Sequence, residues 1–321
     1  MFCRNCGNPL NFANQKYCSG CGAPVEPPKK RSPFLEYVLA ILRAAGWFAV
    51  FFLASNLVTG IYSGVVSGIY AAKYGSPFDS NGYEGLSDGF WSLYSENFCW
   101  IMSFGYVVVI LLYFLIFKIK KKSLINEVRF HKIRFSELPA SYFFGLGLEV
   151  AVAMLISIAA TVIPGVLEST EGTDEIYNAM FMSSSALSQF IFSVVATAVM
   201  EELVFRGLIY NTLKKSMPQP AASLICALAF GLAHSGGVQF VYTALLSLLM
   251  VVLYEKYNSL WICIFLHAGF NSISVLISVV DTENMFVSLA MMACGIGLAL
   301  IGTAYFFASE PVYKEIPAKE N

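Results

Sequence analysis

Two adjacent glutamates, Glu201 and Glu202, close an apolar run that begins at Gln189, and Arg206 follows four residues after the second. Carboxylates at membrane depth cost several kcal/mol unless paired, hydrated or protonated, so they are rare there and usually functional. Two of the three histidines in the chain, His234 and His267, fall in later apolar stretches. On a helix, Glu202 and Arg206 stand i and i+4 on one face and can pair. Glu201 projects about 100° away and is free to face another neighbour. The spacing therefore assigns Glu202 to an orienting ion pair and Glu201 to chemistry. His267 and Asn271 are also i and i+4, so one face offers an imidazole and an amide. A carboxylate with an imidazole can hold and deprotonate a water. A second imidazole and the Asn271 amide can donate to a developing oxyanion. That is a set of groups for peptide hydrolysis. The same Glu201, His234 and His267 could instead hold a catalytic Zn²⁺ with water in the open position. No His-Glu-x-x-His helix occurs, so a zincin site is not indicated.

The elements that must position these residues are membrane helices. The 321-residue chain is 57% hydrophobic and 13% charged, against about 25% charged in a soluble domain. Several runs reach the roughly 20 apolar residues that cross a bilayer. The expected fold is an all-α polytopic membrane protein with about eight spans: 37–72, 98–117, 139–163, 184–213, 219–236, 238–254, 259–280 and 286–308. The first run is long enough for one long or bent span, or for a span plus an interfacial helix. A cysteine-rich segment precedes it, so no cleavable signal peptide is expected. At 1.5 Å per residue, Glu201 lies about 18 Å, His234 about 22 Å and His267 about 12 Å from the cytoplasmic ends of their helices. His234 then falls in the middle or outer part of its span. Gly207, Gly231 and Gly269, beside the polar residues, would let helices approach closely.

Loop charges alternate. Lys29, Lys30 and Arg31 precede the first span, and residues 118–134 hold seven Lys or Arg, whereas the next loop carries only Glu168, Glu171, Asp174 and Glu175. The positive-inside rule puts both termini in the cytoplasm. The basic run reads as an orientation signal and a contact for lipid headgroups. His131 within it reads as solvated. Glu149, another carboxylate near a span, reads as capping or lining a cavity.

The N-terminus carries two near-identical knuckles, Cys3-Arg-Asn-Cys6-Gly7 and Cys18-Ser-Gly-Cys21-Gly22. Four thiolates so spaced make a closed structural zinc site, and Gly7 and Gly22 suit the positive φ of such turns. The segment is too short for a core, so metal would supply its folding energy. A cytoplasmic location argues against disulfides. The remaining cysteines, Cys99, Cys226, Cys263 and Cys294, read as small apolar side chains. The expected organisation is a zinc-ribbon over 1–24, a linker over 25–36, a membrane domain over 37–308 and a cytoplasmic tail over 309–321. The ribbon could recruit a protein partner. Only Arg4 and Lys16 lie in it, which gives no support for nucleic-acid binding.

Glu-Glu-x-x-x-Arg, Phe-x-x-x-His and His-x-x-x-Asn, in that order on separate membrane helices, resemble the CPBP (Abi) family. Its members include type II CAAX prenyl endopeptidases and bacteriocin-processing or immunity proteins. The resemblance covers about 185–275. It implies an intramembrane endopeptidase in which Glu201 is catalytic, His234 holds water with it, His267 and Asn271 stabilise the oxyanion, and Glu202 and Arg206 complete the first motif. The family's names imply a metalloprotease, while a metal-independent glutamate mechanism is implied for its CAAX-processing members. The expected setting is a bacterial plasma membrane, with lipids and a membrane-borne peptide or protein, possibly prenylated, as partners. Two other classes use the same residues: a proton-coupled transporter, for which no internal repeat is visible, and a non-proteolytic scaffold or immunity factor.

Overall fold

A computed structural model describes residues 8, 17–23, 32–75, 78–79, 82–86, 88–166, 184–234, 237–277, 280 and 284–310. Contacts divide the chain into Met1–Leu39 and Ala40–Asn321. In the first unit, residues 17–23 form a tight turn. The Gly22 N–H donates to the Cys18 carbonyl at 2.8 Å, and the Cys18 N–H donates to Ala23 at 2.8 Å. Gly22 has φ 71°, as expected for the knuckle. The Gly20 N–H points at Cys18 Sγ, 3.4 Å away. Cys3 and Cys6, and with them half of the expected zinc ligands, lie outside the described residues.

Helix α1 (Pro33–Tyr74) is one continuous helix of 42 residues. At 1.5 Å per residue it is about 63 Å long, roughly twice the hydrocarbon thickness. It has no break that would set off a separate interfacial helix. A short antiparallel ladder, β1 (Phe78–Asp79) and β2 (Gly82–Leu86), follows. Then come α2 (Asp88–Glu96), α3 (Phe98–Ile119), α4 (Leu124–Glu127) and α5 (Glu137–Val162). Helix α6 (Ala186–Lys214) is followed by α7 (Gln219–Leu232), α8 (Val238–Tyr257), α9 (Leu260–Ile277) and α10 (Met285–Ala308).

Among the described residues seven helices are long and apolar enough to cross a membrane: α1, α3, α5, α6, α8, α9 and α10. The eighth expected span, 219–236, is a correction. Its helix α7 has only 14 residues, about 21 Å, and falls short of the roughly 30 Å hydrocarbon layer. Pro218 and Pro220 set its start, and the helix ends at Leu232, where the His234 N–H closes a tighter turn onto the Gly231 carbonyl at 3.1 Å. The chain still reverses there, because α7 and α8 pack as a hairpin with Gly231 against Phe240.

One end of the membrane unit is tied together by polar contacts. Trp47 of α1 bonds Thr212 in the last turn of α6. Arg129 and Lys214 both pair with Glu255 of α8, and Lys215 pairs with Glu127 of α4. Lys256 donates to the Phe306 carbonyl of α10 at 2.6 Å. The unit thus begins and ends on the same side, the side that carries the basic loop.

Two glycines hold the site-bearing helix close to α5. A Cβ on Gly145 would lie 1.8 Å from the Leu266 carbonyl oxygen, and one on Gly269 would lie 1.8 Å from that of Tyr142. Backbone therefore touches backbone across α5 and α9, as small residues permit in membranes. Gly207 meets Val128 of the basic loop and not a neighbouring helix, while Gly231 serves the α7–α8 hairpin.

Candidate active site

Helix α6 carries the glutamates. Two π-helical stretches, Phe190–Ala196 and Leu203–Tyr210, bracket the α-helical turn Thr197–Glu202. Uniform α-helix was the expectation, and π turns within α-helices are frequent at functional sites. All eight residues of the second stretch are buried. An amphipathic α-helix would present a polar face there instead.

Arg206 is fully buried, and so is Glu202. Arg206 Nη1 donates to Glu202 Oε1 at 2.7 Å, the i, i+4 pair that the spacing predicts. The guanidinium also lies flat over Phe230, 4.3 Å from the ring centroid, where cation–π attraction is favourable. His267 Nδ1 lies 2.8 Å from the same Glu202 Oε1. A carboxylate only accepts, so Nδ1 carries the proton. Glu202 therefore joins α6, through Arg206, to α9.

Glu201 turns the other way, as its helical phase requires. Its Oε2 stands 3.8 Å from His234 Nε2 and 3.9 Å from His267 Nε2. That buried oxygen has no hydrogen-bond partner among the described residues. His234 is not within a span; it sits in the turn after α7, and its Nδ1 contacts the Phe230 carbonyl at 2.7 Å. A carbonyl accepts, so this Nδ1 also carries the proton. In the neutral state both imidazoles present a bare Nε2 lone pair toward Glu201. A gap of 3.8–3.9 Å is too long for a direct bond, and one water can bridge such a gap.

Asn271, one turn beyond His267, donates to the Ser193 carbonyl in the first π stretch at 2.9 Å. This leaves the second amide N–H for another acceptor. Glu202, Arg206, His234 and His267 are thus gathered in one cluster with Glu201, while Asn271 stands one turn from His267 with its amide on Ser193. Phe230 is the residue that sequence reasoning left without a role. Its ring packs on Arg206, on His234 (4.6 Å between centroids) and on His267 (6.0 Å). The only signal for it was its place four residues before His234. Glu149 has a buried carboxyl oxygen without a hydrogen-bond partner among the described residues.

Two ligands of one tetrahedral zinc at about 2.1 Å stand about 3.4 Å apart. The separations from Glu201 are wider than that. Among the described residues no group of three or more His, Cys, Asp or Glu is arranged to hold a metal ion.

Fold and site together define a polytopic helical membrane protein with a buried carboxylate–imidazole centre. Residues 183–273, which hold every member of that centre, match the family model described as type II CAAX prenyl endopeptidase Rce1-like. No curated protein and no solved structure matches the chain.

Proposed function

We propose that the protein is an intramembrane endopeptidase that cleaves a membrane-associated substrate with water activated by Glu201. The observation that carries this reading is the unbonded Glu201 Oε2, facing two Nε2 atoms across a water-sized gap. A water placed there donates one hydrogen to the carboxylate and one to an imidazole, and keeps a lone pair for the scissile carbonyl carbon. As the oxygen–carbon bond forms, the proton passes to Glu201. Glu201 then returns it to the departing amine, so atoms and charge balance. The second N–H of the Asn271 amide is a neutral donor for the oxyanion. His267 can join it from Nε2 once it carries both ring protons, with Glu202 opposite to balance that charge.

The substrate class follows from the family likeness alone: a membrane-borne peptide, of which the lipid-modified CAAX type is the example that the likeness suggests. The positive-inside rule puts the basic end, and both ends of the membrane unit, in the cytoplasm. We further infer that Cys3, Cys6, Cys18 and Cys21 hold a structural zinc. The turn at 17–23, with a backbone N–H aimed at Cys18 Sγ, suits a bound thiolate.

The direct test compares membrane proteomes of cells carrying wild type and Glu201→Ala. Substrates should accumulate uncut in the variant while the folded protein stays in the membrane. Full cleavage by the variant would remove Glu201 from the mechanism.

A further inference from the structure

A cavity of about 450 Å³ opens at the basic end of the membrane unit, lined by Arg43 of α1, Lys120 after α3 and Lys215 after α6. Lys215 pairs with Glu127. Arg43 and Lys120 meet no carboxylate among the described residues, in contrast to Arg129 and Lys214, which share Glu255. The cavity therefore carries two uncompensated cations. Its floor is Trp47, whose Nε1 donates to Thr212 Oγ1 at 3.1 Å. The indole is fixed between Tyr113 and Phe117, and Lys120 Nζ sits 4.4 Å from its centroid. The remaining wall is apolar, from Val50 and Ile116. Beyond it the exposed Leu53 and Leu57 continue along α1. A cationic rim above an apolar wall at the membrane boundary is complementary to an anionic amphiphile and not to a small soluble anion.

We propose that this cavity binds the phosphate headgroup of an anionic phospholipid, with Arg43 and Lys120 on the phosphate and the acyl chains running down the α1 face. Thr212 and Lys215 lie at the C-terminal end of the helix that carries Glu201, so an occupied site braces that helix from its far end. The inference does not depend on proteolysis.

The test uses full-length protein in neutral detergent, titrated with short-chain phosphatidylglycerol or phosphatidylcholine and read by native mass spectrometry. Wild type should bind phosphatidylglycerol at least about tenfold more tightly than phosphatidylcholine. Arg43→Gln with Lys120→Gln should lose about ten- to thirtyfold of that affinity. Lys121→Gln with Lys122→Gln, outside the cavity, should keep it. Thermal melting of each lipid-free variant checks folding, and Arg43→Gln alone provides a milder variant. Unchanged phosphatidylglycerol binding in the double variant, or equal binding of phosphatidylcholine by wild type, overturns the proposal. Displacement of the lipid by inorganic phosphate at equal concentration overturns it too, because the site would then recognise a free anion.

Discussion

His267 and Glu202, on different helices, meet at 2.8 Å, and the same carboxylate oxygen takes a bond from Arg206 at 2.7 Å. Glu202 is thus the junction of the site, and its sequence neighbour Glu201 is not. Glu202→Gln leaves a fully buried guanidinium without its counter-charge. Removing one partner of such a pair destabilises by about 3–5 kcal/mol. Glu201→Gln removes no hydrogen bond. Thermal unfolding in detergent should separate the two: a large loss of stability for Glu202→Gln, and near wild-type melting without cleavage for Glu201→Gln. Equal melting of both would refute this division of roles.

Phe230 packs against a guanidinium and two imidazoles, so its replacement acts on stability and geometry together. Phe230→Ala opens a cavity in a fully buried place, which typically destabilises by about 3–5 kcal/mol. Phe230→Leu keeps most of the volume but loses the π face that holds Arg206 and orients His234. Folded protein with kcat lowered at least about tenfold is expected for the leucine variant. Unaltered turnover would reduce Phe230 to packing alone.

Much of this arrangement was legible before any coordinates. The Glu202–Arg206 pair follows from helical spacing, and the membrane helices follow from runs of apolar residues. What spacing could not reveal is tertiary. The bond from His267 to Glu202 crosses 65 positions, and that from Asn271 to Ser193 crosses 78. The length of α7 was overestimated because the apolar run ends only at Ala233, while the helix spans just Gln219–Leu232. Nothing in the residues between Leu203 and Tyr210 marked a π turn, since that geometry answers to burial on all sides.

Asn271 keeps one amide N–H beyond the bond to Ser193. Asn271→Ala should lower kcat by about 10²-fold with little change in KM, as for loss of one oxyanion donor. Single-turnover cleavage of a reporter peptide in proteoliposomes measures this. A rise in KM at constant kcat would instead make Asn271 a substrate-binding residue.

Metal content distinguishes structural from catalytic zinc. Purified wild type should carry about one equivalent, held by the four N-terminal thiolates. Cys18→Ser with Cys21→Ser should lose it and retain cleavage. If a full equivalent survives in that variant and disappears with His234→Ala, zinc belongs at Glu201 and the water mechanism gives way to a metal-bound one.

Gly269 sits between His267 and Asn271 at the backbone contact with α5. A methyl group there would lie 1.8 Å from the Tyr142 carbonyl oxygen, so the two helices must move apart. Overpacking of this kind destabilises by about 1–3 kcal/mol or more, and the displaced helix carries both His267 and Asn271 away from α6. Gly269→Ala should therefore lose stability and most activity together. Gly60→Ala on α1, where an added methyl meets nothing within 4 Å, should melt at or above the wild-type temperature, because alanine favours helix by about 1 kcal/mol over glycine. If Gly269→Ala retained both melting temperature and cleavage, the close contact between α5 and α9 would not be what positions the site.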